Sequence, residues 1–373
     1  QTVLEKASIP HTDWISIHGR QGMVHNVPEH FHPGSDVALM SLMGYDPAVY
    51  YRGRAPLEAA AQDIQTGPND WIFRCNLVTI ADGRMIDYSA GHIDSVQAAR
   101  LIHDMNERLG SEEIAFYPGV SYRHLLVIRG GSFELETIAP HDIMDQPVAK
   151  HLPKGKSGKL LIQLMEKAGE ILAEHEVNKV RRDLGENPAN HIWLWGQGKR
   201  PQMDLFRDKF GLSGAVITAV DLMRGLGKLM GTQVIEVPGA TGYLDTNYAG
   251  KGQAAIEALE SCDLVFVHIE APDEAGHVGL VDGKIKSIEE IDLHIVGPVL
   301  KHLQSRDAWR ILVLPDHPTP IRLRTHCADP VPFALAGTGI AATQKKVYSE
   351  ANGRASGIRI AQGHELMEYF LKG

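Results

Sequence analysis

The sequence has few cysteines, no long apolar run and no excess of positive charge. Its 373 residues include three cysteines, Cys75, Cys262 and Cys327, which lie far apart and outside any CxxC pattern. This spacing argues against a disulfide framework and favours a reduced, cytoplasmic location. No apolar run approaches the ~20 residues that a helix needs to span a bilayer. No basic block offsets the net charge of −9, which argues against a general nucleic-acid binder.

The remaining composition is that of a globular α/β protein. The chain is 43% hydrophobic and 22% charged, and its length allows two domains or one large core with an insertion. From about residue 192 onward, strand-like runs alternate with helical ones, and the strand-like runs are "HIWLW", "GAVITAV", "QVIEVP", "DLVFVHI" and "RILVLP". This alternation predicts a mostly parallel sheet with helices on both faces. Ligands of such sheets bind outside the carboxyl ends of the strands.

The region 75–190 has a different pattern. It contains strand-like runs, such as "CNLVTIADGRMIDYS", and two helical runs, "SVQAARLIHDMNERLG" and "LLIQLMEKAGEILAEH". Antiparallel strands with two helices predict a separate α+β unit. We therefore expect a discontinuous metal-binding core, residues 1–74 and 191–373, with residues 75–190 inserted as a cap domain. The segments "GKSGK" and "AGKGQ" do not complete a Walker A motif, so a P-loop kinase is not expected.

Two strand-like runs lead into segments that contain aspartate and histidine. "DLVFVHI" is followed by "EAPDEAGH", which places Asp273 and His277 four residues apart, and "ILVLPDH" ends in Asp316 and His317. His326 follows in "LRTHCADP". An i,i+4 pair shares one face of a helical turn, and the adjacent pair can diverge at a strand end toward two neighbouring ions. The alternatives are an exposed acidic turn and an ordinary loop histidine.

Five such ligands suit two divalent cations, Mn²⁺ or Zn²⁺, with Mg²⁺ as a further candidate. Two metal ions can activate an oxygen nucleophile and hold the oxygens of a phosphoryl transfer. Ser35 in "FHPGSDVALMSLMGYDP" precedes a predicted helix, whose N-terminus favours an anion. Its spacing alone equally allows a role as helix N-cap.

At this point the chain resembles a known family. "PGSDVALMSLMGYDP", "APDEAGHVG", "LPDHPTP" and "RTHCADPVPF" are similar to segments of the archaeal-type, cofactor-independent phosphoglycerate mutases of the alkaline phosphatase superfamily. "NHIWLWGQG" and "PGATGYLDT" resemble its bacterial branch, some of which has been proposed to act as a homoserine kinase. The resemblance covers essentially the whole chain, and it implies a three-layer α/β/α core with an inserted α+β cap.

The resemblance also implies roles for individual residues. Ser35 would be the serine that is transiently phosphorylated. Two sets of metal ligands are implied, one of Asp273, His277 and His326 and the other of Asp316, His317 and Ser35. The family has a further metal-binding aspartate in a DG motif on its first strand. Because "QTVLEKASIPHTDWI" resembles the stretch that normally follows this strand, we expect the strand to precede Gln1.

An acidic protein needs local cations to hold a phosphoglycerate. Bidentate guanidinium groups usually bind phosphate and carboxylate, and surface salt bridges are the alternative role for such residues. The candidates in otherwise uncharged surroundings are Arg52, Arg54, Arg74, His92, Arg123 and Arg224. Arg74, His92 and Arg123 rank highest, because the resemblance places them in the cap.

The first functional hypothesis is a metal-dependent isomerase that interconverts 2- and 3-phosphoglycerate through a phosphoserine. A phosphotransferase acting on homoserine and a phosphomonoesterase are the enzymatic alternatives, and the oligomeric state is left open. A protein in which metal ions only stabilise a scaffold is disfavoured, because structural metal sites close their coordination sphere and do not need a serine. The expected partner is a small phosphorylated substrate, with neither nucleic acid nor membrane.

Overall fold

The computed structural model describes residues 2–373. The chain divides into two compact units: unit 1 contains residues 2–51 and Met203–Gly373, and unit 2 contains Arg52–Gln202.

Twelve strands lie within residues 2–373. They are β1 (Arg20–Val24), β2 (Trp71–Ala81), β3 (Arg84–Asp87), β4 (Ile114–Tyr117), β5 (Arg123–Ile128), β6 (His191–Lys199), β7 (Gly214–Ile217), β8 (Gln233–Ile235), β9 (Leu264–Val267), β10 (Arg310–Val313), β11 (Val331–Gly337) and β12 (Arg359–Ile360).

The same residues contain sixteen α-helices, and none of these has both the length and the apolar character that crossing a bilayer requires. The helices are α1 (Val3–Lys6), α2 (Pro10–His18), α3 (Ser35–Leu42), α4 (Pro47–Tyr50), α5 (Ala55–Ala61), α6 (Ser95–Leu109), α7 (Gly158–Ala173), α8 (Glu176–Asp183), α9 (Phe206–Phe210), α10 (Asp221–Leu229), α11 (Tyr248–Ala258), α12 (Ala271–His277), α13 (Val281–Ile291), α14 (Gly297–Leu303), α15 (Glu350–Ala355) and α16 (Glu365–Lys372).

Unit 1 contains two sheets. Strand β7 lies between β8 and β9, and these three strands are parallel. The other sheet has the order β10-β11-β1-β12, in which β11 is antiparallel to both neighbours and β12 is parallel to β1. The prediction of a mostly parallel sheet is therefore correct for one sheet only. A loop rather than a helix joins β10 to β11, whereas parallel neighbours are usually joined by a helical crossover.

An apolar cavity of about 1750 Å³ lies in unit 1. Its lining includes the whole of β9 and of β10. Among the described residues, β9 pairs only with β7 and β10 pairs only with β11. The cavity is therefore bordered by strands that each have one unpaired edge.

Unit 2 is built on one antiparallel sheet. Strand β2 pairs with β3, β5 and β6, and β4 pairs with β5. Apolar side chains of α6 and α7 pack with those of β2 and β6 in a single core cluster. The side chain of Asp94 caps α6 by accepting hydrogen bonds from two backbone N–H groups of its first turn, which is a common stabilising start of a helix.

The structure places the boundaries of unit 2 outside those predicted. The expected segment 75–190 begins within β2 and ends before β6, whereas the two strands pair along most of their length. "HIWLW" therefore belongs to the antiparallel sheet of unit 2, and its assignment to the parallel sheet of the core was wrong. A pattern of apolar residues indicates that a strand is buried, but it does not indicate which other strand pairs with it in the sheet.

These boundaries predict where a protease will cut the folded chain. Arg52 and Arg200 are exposed, and both lie outside helices and strands at the two junctions between the units. Trypsin cuts poorly before proline, so Pro201 protects the bond after Arg200. We expect brief trypsin treatment to cleave first after Arg52 and after Lys199, the last residue of β6, and to release a fragment close to residues 53–199, as measured by intact-mass spectrometry. The variant Lys199→Gln should lose the second cut. Early cleavage near residues 75 and 190 would instead support the boundaries predicted from the sequence.

Candidate metal centre

Segments that follow β9 and β10 bring carboxylates and imidazoles together in unit 1. Helix α12 begins shortly after β9 and carries Asp273 and His277. Because residues four apart share a helix face, Nε2 of His277 lies 3.1 Å from Oδ2 of Asp273. Asp316 and His317 occupy the loop directly after β10. Ends of strands from two different sheets thus supply the cluster.

His326 joins this cluster from the loop between β10 and β11. Its Nε2 lies 2.9 Å from Nε2 of His277 and 3.4 Å from Oδ1 of Asp273. Potential ligand atoms of Asp273, His317 and His326 all lie within 4.8 Å of one another. The structure therefore brings together side chains that the sequence analysis selected from separate segments.

The orientation of the imidazole rings shows whether the cluster suits a cation. Nδ1 of His277 lies 3.0 Å from the carbonyl oxygen of Arg324, and Nδ1 of His326 lies 3.4 Å from that of Pro33. A carbonyl oxygen only accepts hydrogen bonds, so each Nδ1 is assigned the proton and each Nε2 presents a lone pair. Two lone pairs then face each other beside the carboxylate of Asp273. A proton shared between the two Nε2 atoms, or a metal ion, stabilises this arrangement, and the donor set fits a divalent ion.

The electrostatics of the cluster lead to the same conclusion. Burial would raise the pKa of Asp273, but hydrogen bonds from His326 and Thr319 hold it well below its usual range. Burial would lower the pKa of His326, but its hydrogen bond to Asp273 raises it above the usual value. The cluster thus keeps its carboxylate ionised and attracts positive charge.

Ser35 lies beside the second Asp/His pair. It is the first residue of α3, and its Oγ lies 2.9 Å from Nε2 of His317. The same Nε2 lies 3.3 Å from Oδ2 of Asp316. A hydroxyl, an imidazole and a carboxylate therefore converge at the start of a helix, where the backbone N–H groups favour an anion.

The side chains of Asp316 and His317, which the sequence allowed to diverge, do not do so in the structure. Their side chains approach each other, because the backbone N–H of His317 donates a 2.9 Å hydrogen bond to Oδ1 of Asp316. This bond folds the carboxylate back over its own chain. The grouping of both residues with Ser35 matches the arrangement that the family resemblance implies.

The alternative role of Ser35 as a helix cap is not observed. The N-cap of α3 is Gly34, and no side chain caps this helix. A Cβ atom at Gly34 would lie 2.8 Å from Oδ1 of Asp36. That carboxylate is held in place by the hydroxyl of Tyr51 at 2.5 Å and by the backbone N–H of Val37. A larger residue at position 34 would therefore collide with this carboxylate.

Three residues that were not predicted from the sequence support the ligands. The hydroxyl of Thr319 donates to Oδ1 of Asp273, and Nζ of Lys284 donates to the carbonyl oxygen of Thr319 at 2.7 Å. Nδ2 of Asn26 donates to the carbonyl oxygen of Asp316 at 2.7 Å. Thr319 could have been selected, because it lies within "LPDHPTP" beside the chosen pair. Such partners fix the orientation of metal ligands.

Two further basic residues lie near the cluster. His268 is the second-last residue of the run "DLVFVHI", and its Nδ1 lies 3.1 Å from Oγ1 of Thr218. Burial lowers the pKa of His268, although the carboxylates of Asp316 and Asp273 oppose this effect. Lys251 is 1% exposed on α11, and burial lowers its pKa to about 8. A histidine at a strand end was the available sequence signal for His268, whereas the inward orientation of Lys251 was not readable from the sequence.

Arg224 has acidic neighbours in unit 1. Its Nη1 lies 3.6 Å from Oδ1 of Asp221 and 3.8 Å from Oε1 of Glu236. Within residues 2–373, no hydrogen bond or ion pair joins Arg224 to the metal-ligand candidates. A substrate role for Arg224 therefore gains no direct support, and the salt-bridge alternative describes its surroundings.

Three of the other substrate-binding candidates lie in unit 2 against aromatic rings. Arg74 is 7% exposed, and its Cζ lies 4.3 Å from the ring centroid of Trp195. Arg123 and His92 are exposed, and both approach the ring of Tyr122, at 5.5 Å and 6.2 Å respectively. Stacked guanidinium groups of this kind can still bind an anion at their edge.

The fold and the site define an α/β protein with a candidate metal centre beside a serine hydroxyl. Residues 17–178 match the family model described as 2,3-bisphosphoglycerate-independent phosphoglycerate mutase. The chain is similar to the proteins of that name from Methanosarcina barkeri, with 49% identity, and Methanothrix thermoacetophila, with 50% identity. Both alignments cover 100% of this chain, together with 94% and 95% of the relatives. A bacterial relative from Geobacter sulfurreducens is 47% identical over 100% of this chain and 94% of its own length. The chain therefore belongs to the 2,3-bisphosphoglycerate-independent phosphoglycerate mutase family.

Solved structures agree with this membership. The PH0037 protein from Pyrococcus horikoshii has a TM-score of 0.84 and 27% identity, with coverage of 100% of this chain and 91% of that chain. The cofactor-independent phosphoglycerate mutase from Thermoplasma acidophilum has a TM-score of 0.68 and 28% identity, with coverage of 100% of this chain and 93% of that chain.

Proposed function

We propose that this protein interconverts 2- and 3-phosphoglycerate through a phosphoserine at Ser35. The observation that carries the proposal is the 2.9 Å approach of the Ser35 Oγ to Nε2 of His317 at the edge of the acidic and imidazole cluster. Membership of a family whose named relatives are phosphoglycerate mutases supports the choice of substrate.

The proposed ligands form two groups, one of Asp273, His277 and His326 and the other of Asp316, His317 and Ser35. Mixed carboxylate and imidazole donors suit Mn²⁺ or Zn²⁺, and Mg²⁺ is less well matched to imidazole. Bound divalent ions would supply positive charge for the phosphate group and favour ionisation of the serine hydroxyl.

The protein's own residues account for the transfer. The Oγ of Ser35 loses its proton and forms a bond to phosphorus while the bond from phosphorus to the glycerate oxygen breaks, and that oxygen takes up a proton. The second hydroxyl of the bound glycerate then loses its proton and forms a bond to phosphorus, while the bond from phosphorus to Oγ of Ser35 breaks and Oγ takes up a proton. Backbone N–H groups at the start of α3 favour the charge of the phosphate throughout.

A mutase also has to keep the phosphoserine from water. Hydrolysis of this ester would make the enzyme a phosphatase, so glycerate must be retained and bulk water excluded between the two steps. We infer that unit 2 serves as the cap domain for this purpose, with Arg74, His92 and Arg123 as anion-binding residues. Arg224 stays a weaker candidate, and a cytoplasmic location stays a prediction.

We further infer that unit 1 has the three-layer core of the alkaline phosphatase superfamily. The apolar cavity supports this inference, because it lies between two sheets whose facing strands each have an unpaired edge. Its volume of about 1750 Å³ exceeds the ~300–1,000 Å³ of small-molecule pockets, which favours a chain segment as its occupant. Asp273, Asp316 and His317 also line the cavity. A crystal structure of the protein tests this inference, since β9 and β10 should belong to one continuous central sheet.

Phosphorus NMR tests the proposed activity. Protein loaded with Mn²⁺ should convert 3-phosphoglycerate to 2-phosphoglycerate without accumulation of inorganic phosphate, in samples that are quenched and treated with a chelator before the spectrum is recorded. A parallel sample with homoserine and a phosphoryl donor should yield no phosphohomoserine. Formation of that ester would support the homoserine alternative, and release of inorganic phosphate alone would indicate a phosphomonoesterase.

A further inference from the structure

One carboxylate in unit 2 lies between two of the arginines that the sequence analysis considered for substrate binding. Nε of Arg74, on β2, donates a 2.9 Å hydrogen bond to Oε2 of Glu58. Nε of Arg54, which precedes α5, donates a 3.2 Å hydrogen bond to Oε1 of the same residue. Each oxygen of Glu58 thus serves a different guanidinium group.

Two of these three charged side chains are largely buried, so their pairing affects stability. The side chains of Arg74 and Glu58 are 9% and 14% exposed, whereas that of Arg54 is 41% exposed. Burial would raise the pKa of Glu58, but the charges of Arg74 and Arg54 lower it. The carboxylate is therefore ionised at neutral pH. Buried charges of this kind are stable only when paired, so loss of Glu58 would leave two guanidinium groups to repel each other.

The other side of Arg74 is held as well. Its Cζ lies 4.3 Å from the ring centroid of Trp195, a residue that is also its partner in the pairing of β2 with β6. Nε1 of Trp195 donates a 3.0 Å hydrogen bond to Oδ1 of Asn76, which fixes the ring. At Gly196, where φ is +61°, a Cβ atom would lie 3.2 Å from Cδ of Arg74. Glycine is therefore favoured at this position by both backbone conformation and space.

These contacts use Nε of Arg74 but not its two Nη nitrogens. Within residues 2–373, neither Nη of Arg74 makes a hydrogen bond. The paired N–H groups of a guanidinium edge are the usual donors to carboxylate and phosphate oxygens. Arg74 is nearly buried, its Nε is bound to Glu58, and its guanidinium plane lies over the ring of Trp195. Its two Nη groups stay available as donors, as in an anion-binding arginine.

We propose that Glu58 is a positioning residue, which holds Arg74 and Arg54 in the orientation that binds the anionic substrate. This inference rests on the proposed function for the identity of the anion, 3-phosphoglycerate. Glu58 itself is an anion and would not contact the substrate. Its contribution is to fix the arginine side chains before binding, which lowers the entropic cost of ordering them when the substrate arrives.

The test compares Glu58→Gln with the wild-type protein. Glutamine keeps the shape of the side chain but can accept hydrogen bonds only through one oxygen, so one arginine loses its partner. We expect the KM for 3-phosphoglycerate to rise about tenfold, the effect of losing a hydrogen bond between charged groups, with kcat changed less than about twofold. The dissociation constant of 3-phosphoglycerate, measured by calorimetry, should rise by the same factor.

Glu186→Gln is the matched control. Oε2 of Glu186 pairs with Nη1 of Arg181, which is 4% exposed, at 3.0 Å. The control thus removes a carboxylate from another buried arginine of unit 2, and it should leave KM and the dissociation constant unchanged. If Glu58→Gln does not fold, Glu58→Asp keeps the charge but cannot reach both arginines, and its KM should rise severalfold.

An unchanged or lower KM in the variant that folds would overturn the positioning role, since the added positive charge would then bind the substrate without Glu58. The calorimetric measurement separates this failure from that of the proposed function. Wild-type protein that binds 3-phosphoglycerate without converting it would refute the mutase, while weaker binding by Glu58→Gln would still support the positioning role.

Discussion

Replacement of Ser35 by alanine is expected to abolish phosphoryl transfer, with a loss of activity of about 10³-fold or more. The substitution removes the oxygen that would carry the phosphate and leaves the rest of the cluster in place. Gly34, not Ser35, is the N-cap of α3, so the helix should remain folded. If Ser35 acted only as a cap, the variant would lose about 1 kcal/mol of stability and keep most of its turnover.

Ser41→Ala provides a matched control on the same helix. Ser41 is fully buried, and its Oγ has no hydrogen-bond partner in the described residues. This control should keep its activity, while Ser35→Ala should keep the metal ion held by Asp273, His277 and His326. Wild-type protein quenched during turnover should show a phosphate adduct on the peptide that contains Ser35, as measured by mass spectrometry. Retained mutase activity in Ser35→Ala would refute the phosphoserine mechanism.

Loss of a metal ligand should have an effect of similar size. We expect wild-type protein to bind two divalent ions per chain, and His277→Ala and Asp316→Asn each to lower that number, as measured by inductively coupled plasma mass spectrometry. Each ion is held by only a few converging ligand atoms, so the loss of one leaves too few to bind it. Thr319→Val, which alters a partner of Asp273 rather than a ligand, should weaken metal affinity by about 10- to 100-fold.

A second acidic and imidazole cluster in unit 2 supplies the control. His103, Asp104 and Glu107 lie close together on α6, but the hydrogen bond of 2.7 Å between Asp104 and Nε2 of His175 already uses the central carboxylate. The double variant His103→Ala with Glu107→Gln should therefore keep both metal content and activity. Metal content that stays unchanged in His277→Ala and Asp316→Asn would contradict the dinuclear site.

The pKa of His326 adds a pH dependence to metal binding. Its pKa in the metal-free protein is raised above the usual value for histidine, so a proton occupies Nε2 at and below that pKa. A metal ion must displace this proton, and apparent metal affinity should fall as the pH is lowered through the raised pKa. Calorimetric titrations with Mn²⁺ at several pH values should show proton release that increases toward low pH.

The sequence determined those parts of the site that lie within one local segment. The i,i+4 spacing of Asp273 and His277 was sufficient to predict their shared face, because α12 is a regular helix with a fixed period. The strand ends after β9 and β10 were also readable, since a run of β-branched and aromatic residues followed by a turn marks where a strand stops.

Only the tertiary structure decided which distant residues meet. Ser35 and His317 are 282 positions apart, and His277 and His326 are 49 apart. Local periodicity carries no information about such contacts, because they depend on how whole elements pack. For the same reason, local periodicity could not place β6 in unit 2. It also could not predict that Glu58 binds Arg54 and Arg74, because these hydrogen bonds form only when the chain packs. Sequence pattern determined which side chains stand at each strand end, and three-dimensional packing brought them within hydrogen-bonding distance of one another.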